Sequence, residues 1–465
     1  MNVTDDVPGH EPEDLPQQLR PRQRRGQLAK IALGERMGRE FAKLWFASAV
    51  SGTGDGIALT AAPLLALSLT RDPRLIAGVT TALTLPFLLF ALPAGVIIDR
   101  VDRRRAMARV DAFRAVLLGA FTVLTVTHHV NLAALYACFF LIGTCEAFFR
   151  NSSQTLIPLV VEREALPLAN GRMMGAEVVM NEFFGPMIGG LLFSLAAALP
   201  FGIDALSFAV SSTFLTRLRP PAALQPPKSN EPSGTRRAAS PRALLGELKA
   251  GSHVLWQHPI LRSLAMIAGV INLVSYGILA VFVVFAREDL HVSKTGYGLL
   301  LGVSAIGGTV AARLGPAVVR AIGNESALLV AIALPAASYL VLFLTSQPLL
   351  AGAMLALASF GVVQWNVIAV FLRQTLVPHG LLGRVNGIYG FIAWGALPLG
   401  AICGGFLAST FGVRAVFSAG AIALSAVLIY LVRVALRREI TAALSHKMQA
   451  ATEPAVTGGN AEVTS

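Results

Sequence analysis

Twelve long apolar runs, each fenced by charges or by Pro and Gly, constrain this chain more than any other feature. They fall at Phe41 to Leu69, Leu75 to Ile98, Arg109 to Val126, Leu132 to Phe149, Leu168 to Leu199 and Phe201 to Leu215. After a polar gap they resume at Leu261 to Ala286, Tyr297 to Val319, Ala327 to Leu344, Leu349 to Leu372, Arg384 to Ser409 and Val413 to Leu436. A hydrocarbon core takes about 20 apolar residues per spanning helix, and a helix satisfies its backbone hydrogen bonds internally. The expected fold is an all-α integral membrane protein with twelve transmembrane helices. Charged residues are only 14% of the 465, against about 25% in a soluble domain, which excludes a soluble globular protein.

Charge placement orients the chain. Of the 38 Lys and Arg residues, 32 fall on the side that carries both termini and 4 in the opposite loops, with Arg114 and Arg414 inside spans. By the positive-inside rule the termini are cytoplasmic. The net charge of +12 is then an insertion signal, and a nucleic-acid partner is not expected. Residues 1–40 read as a basic tail, 41–216 as a six-helix half, 217–259 as a linker, 260–438 as a second half and 439–465 as a second tail. The linker is Pro-rich at first and then offers an amphipathic helix through "PRALLGELKAGSHVLWQHP". No cleavable signal precedes Phe41, so the first span is expected to direct its own insertion. Cys138, Cys145 and Cys403 all lie in apolar runs and read as small core residues, not a disulfide framework.

The halves repeat one another. "QTLIP" at Gln154 recurs as "QTLVP" at Gln374, Gly95 and Arg100 recur as Gly315 and Arg320, and Gly189-Gly190 recurs as Gly404-Gly405. Two pseudo-symmetric six-helix halves in one orientation are the layout in which one half rocks against the other about a midplane site. No phosphate-binding G-x-x-x-x-G-K-[ST] occurs, so ATP is not expected as a partner. "GTGDG" at Gly52 sits inside a span with no strand before it and reads as close helix packing. The eight histidines form no i, i+4 pair, and neither a metal nor a cofactor is expected.

The loop "GVIIDRVDRRRAM" at Gly95 to Met107 resembles the signature of the major facilitator superfamily. Gly95, Asp99, Arg103 and Arg104 occupy its places. The resemblance implies a conformational latch in which Asp99 docks near Gly383 and Arg384 at the start of helix eleven, while Glu146 pairs with the motif's Arg. "GPMIGG", with Gly185, Pro186, Gly189 and Gly190, resembles the superfamily's antiporter motif, although Asn181 stands where an upstream Gly belongs; Gly and Pro in spans also serve packing and kinks. With "FGIDALSFAVSS" and "RQTLVPHGLLGRVNG", the chain is similar to the macrolide-efflux-like and enterobactin-exporter-like branch of drug:proton antiporters.

Charges inside spans are informative because an unpaired one is costly there. Asp55 and Glu182 lie near the middle of spans one and five and are the candidates for proton coupling, against a helix-to-helix hydrogen bond as the plainer role. Asp111 and Arg114, at i and i+3, read as a local pair, and Asp204 and Arg414 as structural charges at the outer ends of spans six and twelve. Tyr276, Trp365, Tyr389 and Trp394 lie within second-half spans and form a candidate substrate pocket for stacking and cation–π contact.

These features point to a monomeric secondary transporter in a bacterial inner membrane that exports small amphipathic molecules in exchange for protons. A dedicated siderophore or natural-product exporter is the alternative within transport, and a non-transporting scaffold the alternative outside it. Orientation is directly testable. With the native cysteines removed, a cysteine at Asn131 should react with an impermeant thiol reagent in intact cells and one at Ser229 should not; the reverse pattern would overturn the topology.

Overall fold

In the computed structural model, residues 38–98, 102–219, 252–377 and 381–436 are described. Every regular element among them is helical. The first four rods are α1 (Gly38–Leu69), α2 (Pro73–Ile98), α3 (Arg103–Val126) and α4 (Leu132–Leu156). Then α5 (Leu166–Leu195) is α-helical at both ends and π-helical over Glu177–Phe184 in its middle. The first group closes with α6 (Leu199–Thr216), and the second opens with α7 (Pro259–Val284).

Next, the helical stretch Lys294–Leu344 breaks at Gly323, whose φ of 79° and ψ of 165° lie outside helical space, into α8 (294–322) and α9 (324–344). A φ of that sign suits glycine because no β-carbon clashes there. The last rods are α10 (Pro348–Leu376), α11 (Leu382–Phe411) and α12 (Arg414–Leu436). Ten described helices are long and apolar enough to cross a membrane, with Lys294–Leu344 counted once. Arg103–Val126 is left out of that ten, its apolar run broken by charge.

Several helix ends differ from the sequence reading for local reasons. At the start of α3 the helix reaches back to Arg103, because Asp102 caps it by accepting the Arg105 N–H at 3.1 Å. Past Phe149, α4 continues to Leu156, which puts Arg150 on a helix instead of in a loop. Leu199 begins α6 rather than ending α5: Ala196 is extended, and Pro200 occupies the first turn of the new helix. Most of the linker lies outside the described residues, as do both tails; residues 252–257 are helical.

The first six helices pack chiefly with one another, as do the last six, and the two groups meet along α2 with α11 and α5 with α8. Phe121, Phe139 and Phe201 form an edge-to-face cluster inside the first group, and Phe282, Phe285, Phe417 and Tyr297 a tilted one inside the second. Lipid tails are as apolar as Leu, so helices associate here through close packing of small residues. At the end away from the termini the groups touch: a β-carbon on Gly190 of α5 would lie 2.6 Å from the Lys294 carbonyl, and one on Gly405 of α11 would lie 2.7 Å from Ala77 of α2. At the opposite end a β-carbon on Gly171, Gly175, Gly383 or Gly387 meets nothing within 4 Å. These close glycine contacts between the halves thus lie at the end away from the termini.

This asymmetry predicts unequal tolerance. Gly190→Leu should destabilise the purified protein by about 1–3 kcal/mol through overpacking, whereas Gly175→Leu should stay within about 0.5 kcal/mol. Thermal unfolding in detergent measures both, and equal midpoints would contradict the contact.

Candidate functional site

The first half holds a chain of alternating acids and guanidinium groups. Its inner member is Arg114 of α3, only 1% exposed. Removing that charge from water is tolerable only with partners. Glu146 of α4 accepts from Arg114 Nη2 at 2.9 Å, Asp111 stands 3.7 Å from Nη1, and the guanidinium lies between the rings of Phe149 and Phe208 at 5.3 and 5.0 Å. Asp111, itself fully buried, accepts the Ser211 hydroxyl of α6 at 2.6 Å. From Glu146 the chain runs outward to Arg150 at 3.5 Å and from Arg150 to Glu177 of α5 at 3.1 Å. Side-chain exposure climbs along it from 27% at Glu146 to 44% at Arg150 and 49% at Glu177, so the series links the dry interior to an exposed face of α5.

Two more carboxylates crowd the inner end. Asp204 of α6 is buried and accepts the Ser207 hydroxyl at 3.0 Å. It lies against α1 where Gly54 and Gly56 admit close approach: a β-carbon on Gly54 would collide with the Asp204 carboxylate and the Ser207 hydroxyl, and one on Gly56 with the Asn181 carbonyl of α5. The close packing expected of "GTGDG" is thus present. Asp55, the next residue along α1, is in electrostatic reach of Asp204, Arg114, Glu146 and Asp111. Two carboxylates thus pair with one fully buried guanidinium, and two more lie within electrostatic reach of it.

The sequence-derived residues are distributed unevenly over this geometry. Glu146 accepts from Arg114 and Arg150, and Arg104 donates to the Leu218 carbonyl at 2.6 Å. Gly95 lies in the last turns of α2, Arg103 begins α3, and Asp99 lies outside the described residues. Asp55 and Glu182 do not share one environment, because the charges acting on Glu182 are Glu177 and Arg150. The "GPMIGG" glycines are contact points: Gly185 and Gly189 meet Gly56 and Ile57 of α1, and Gly190 meets α8.

The four aromatics separate. Trp365, Tyr389 and Trp394 line one cavity of about 390 Å³ together with Asn272, Asn366 and Arg373. Tyr276 lines another of about 200 Å³ beside Ser275, Tyr339 and Ser359, within reach of the charges of Arg150 and Glu182. Trp394 also meets Phe87 of the first half edge-on at 6.2 Å. Arg150 and Arg373 lie on helices although the sequence offers them only as two of the basic residues on the side of the termini, and Asp204, read as an outer-end structural charge, is buried within α6. The polar stripe Asp204, Ser207 and Ser211, at helical spacing on α6, was the available signal. Arg414 does serve structurally: it reaches Asp289 at 2.6 Å, the Phe343 carbonyl at 2.9 Å and Ser346 at 2.7 Å, tying three helix ends together.

Two packed six-helix groups joined by close glycine contacts at one end, with a polar network inside one of them, define a transporter of the major facilitator class. The chain belongs to the transmembrane secretion effector family of that superfamily, which residues 36–458 match. It is 30% identical over 388 residues to the multidrug efflux pump Tap of Mycolicibacterium fortuitum, covering 80% of this chain and 90% of the relative. It is 24% identical over 304 residues to the enterobactin exporter EntS of Escherichia coli O1:K1, covering 63% and 67%. The nucleoside transporter NupG shares the fold with a TM-score of 0.67 at 13% identity, over 85% of this chain and 99% of that one. The family and these relatives are transporters, not enzymes.

The network makes a stability prediction. Arg114→Gln leaves Asp111 and Glu146 without their buried cation and should cost about 3–5 kcal/mol, whereas Arg150→Gln, at a half-open position, should cost within about 1 kcal/mol. Detergent-state unfolding of the two variants measures the difference; similar losses would show that Arg114 is not the anchor.

Proposed function

We propose that this protein is a proton-coupled exporter of small amphipathic molecules, working as a monomer in a bacterial cytoplasmic membrane with both termini inside. Its relatives carry the names of efflux and export proteins, and the excess of carboxylates around Arg114 supports the coupling. With the termini inside, the glycine contacts close the outer end, and a cavity between the halves receives substrate from the cytoplasm. Exchange of the glycine-lined contacts at the far end for contacts at the near end would present the same cavity to the outside.

Asp55 is the proposed proton carrier. It makes no hydrogen bond among the described residues and shares one buried cation with three other acids. A carboxylate without a counter-ion of its own in such a site is the group that a proton neutralises. A proton arriving from outside occupies Asp55, and the relay Arg114, Glu146, Arg150 and Glu177 carries the change in charge to the exposed face of α5. There Glu182 and Glu177 meet the polar or cationic part of the substrate. Proton and substrate thus act on one connected set of charges, and each favours release of the other.

The Asp99 latch is retained in this scheme as the element that holds the near end closed when the far end opens. The test of coupling is transport by inside-out vesicles energised with a pH gradient. Asp55→Asn should abolish uphill uptake while sparing downhill exchange of labelled substrate, and Glu182→Gln should weaken uptake. Continued uncoupler-sensitive accumulation by both variants would refute the proton site.

A further inference from the structure

The second-half cavity holds a positive charge that no acid among the described residues neutralises. Arg373, in the last turn of α10, forms no ion pair among the described residues; its Nη1 donates to Asn386 Oδ1 at 3.3 Å and its Nε to the Ala369 carbonyl at 3.2 Å. Both acceptors are neutral. The guanidinium carbon lies 3.5 Å from the centre of the Tyr389 ring, so the group is stacked and held at the cavity wall and is not left to extend into solvent. No carboxylate lines this cavity among the described residues.

A second observation points the same way. Trp365 is 1% exposed, lines the same cavity, and its Nε1 has no hydrogen-bonded acceptor, the neighbouring Tyr389 hydroxyl falling outside bonding geometry. A buried donor left unpaired costs free energy that an incoming acceptor recovers. The Asn366 side chain is exposed in the cavity and makes no hydrogen bond among the described residues, which adds a further amide.

Resting on the exporter reading above, we infer that this cavity selects aromatic substrates that carry an acidic oxygen, a carboxylate or phenolate, which Arg373 and the Trp365 indole N–H bind while Tyr389 and Trp394 flank the ring. The volume of about 390 Å³ falls in the range of small-molecule sites. Arg, with its planar fork, suits a carboxylate better than Lys does. A helix C-terminus favours a cation at this position, but the dipole of α10 does not account for the ring stacking or for the orphan indole. The first-half wall, with Glu177 and Glu182, remains for a polar or cationic group at the other end of the same molecule.

Binding to the purified protein in detergent, without any proton gradient, separates this inference from the coupling scheme. Fluorescence anisotropy of carboxyfluorescein, an anionic aromatic dye, is compared with that of a cationic rhodamine ester of similar ring system. Wild type should bind carboxyfluorescein. Arg373→Gln should weaken it roughly ten- to hundredfold, as loss of a charged hydrogen bond does, and leave the rhodamine within about twofold, which also shows that the variant is folded. Arg373→Lys should recover part of the loss. Equal loss of both dyes, no loss of either, or failure of wild type to bind carboxyfluorescein would overturn the inference. Dye binding that persists in a protein unable to accumulate substrate would count against proton coupling alone.

Discussion

A single buried cation organises the first half of this protein. Arg114 sits 1% exposed among helices that face hydrocarbon on their other sides, where a lone charge is among the costliest things a fold contains. Its neighbours offset that: Glu146 in direct contact, Asp111 one turn away on its own helix, and the rings of Phe149 and Phe208 at 5.3 and 5.0 Å from the guanidinium. Because the partners come from α3 and α4 and the next shell, Ser211, from α6, satisfying one guanidinium fixes the rotation of three helices about their axes. Asp204 and Asp55 then fall where they do as a consequence of that phasing.

The second half has no counterpart to this network. At the positions that repeat Asp55, Glu146 and Glu182 stand Ser275, Asn366 and Trp394, and the half is held instead by aromatic packing around Phe285 and Phe417 and by the three-way tie at Arg414. Pseudo-symmetric backbones thus carry unlike chemistry: titratable groups in one half, ring faces and hydrogen-bond donors in the other. A molecule bound between them meets both.

The architecture was legible because hydrophobic length and charge asymmetry are one-dimensional properties. Asp55 was legible for the same reason, as an acid inside an apolar run. The Glu146 partnership was not, since Arg114 lies 32 residues away and only the mutual rotation of two helices brings the pair together. Arg150 and Arg373 were hidden by the same positive-inside reasoning that oriented the chain, for a basic residue near a helix end looks alike whether it faces headgroups or a cavity. The aromatic set divided because Tyr276 is on α7 facing another recess, a distinction that spacing within one helix cannot express. Gly95 and Asp99 illustrate a motif read from resemblance, whose geometry rests on residues at and beyond the end of α2.

The π-helical stretch of α5 changes what that helix can do mechanically. Its eight residues, Glu177–Phe184, carry a looser hydrogen-bond ladder than the α-helical turns on either side. On one side Gly185 to Gly190 is wedged against α1 and α8; on the other Ala169 is fully buried and the Arg172 carbonyl accepts the Trp45 indole N–H of α1 at 3.2 Å. Both ends of the helix are seated on α1, and the wider coil lies between them. Tightening the coil by one residue would turn one arm by about 100° relative to the other. Glu177 opens that coil and holds Arg150 at 3.1 Å, so any change in the winding of α5 is felt directly by the charge chain.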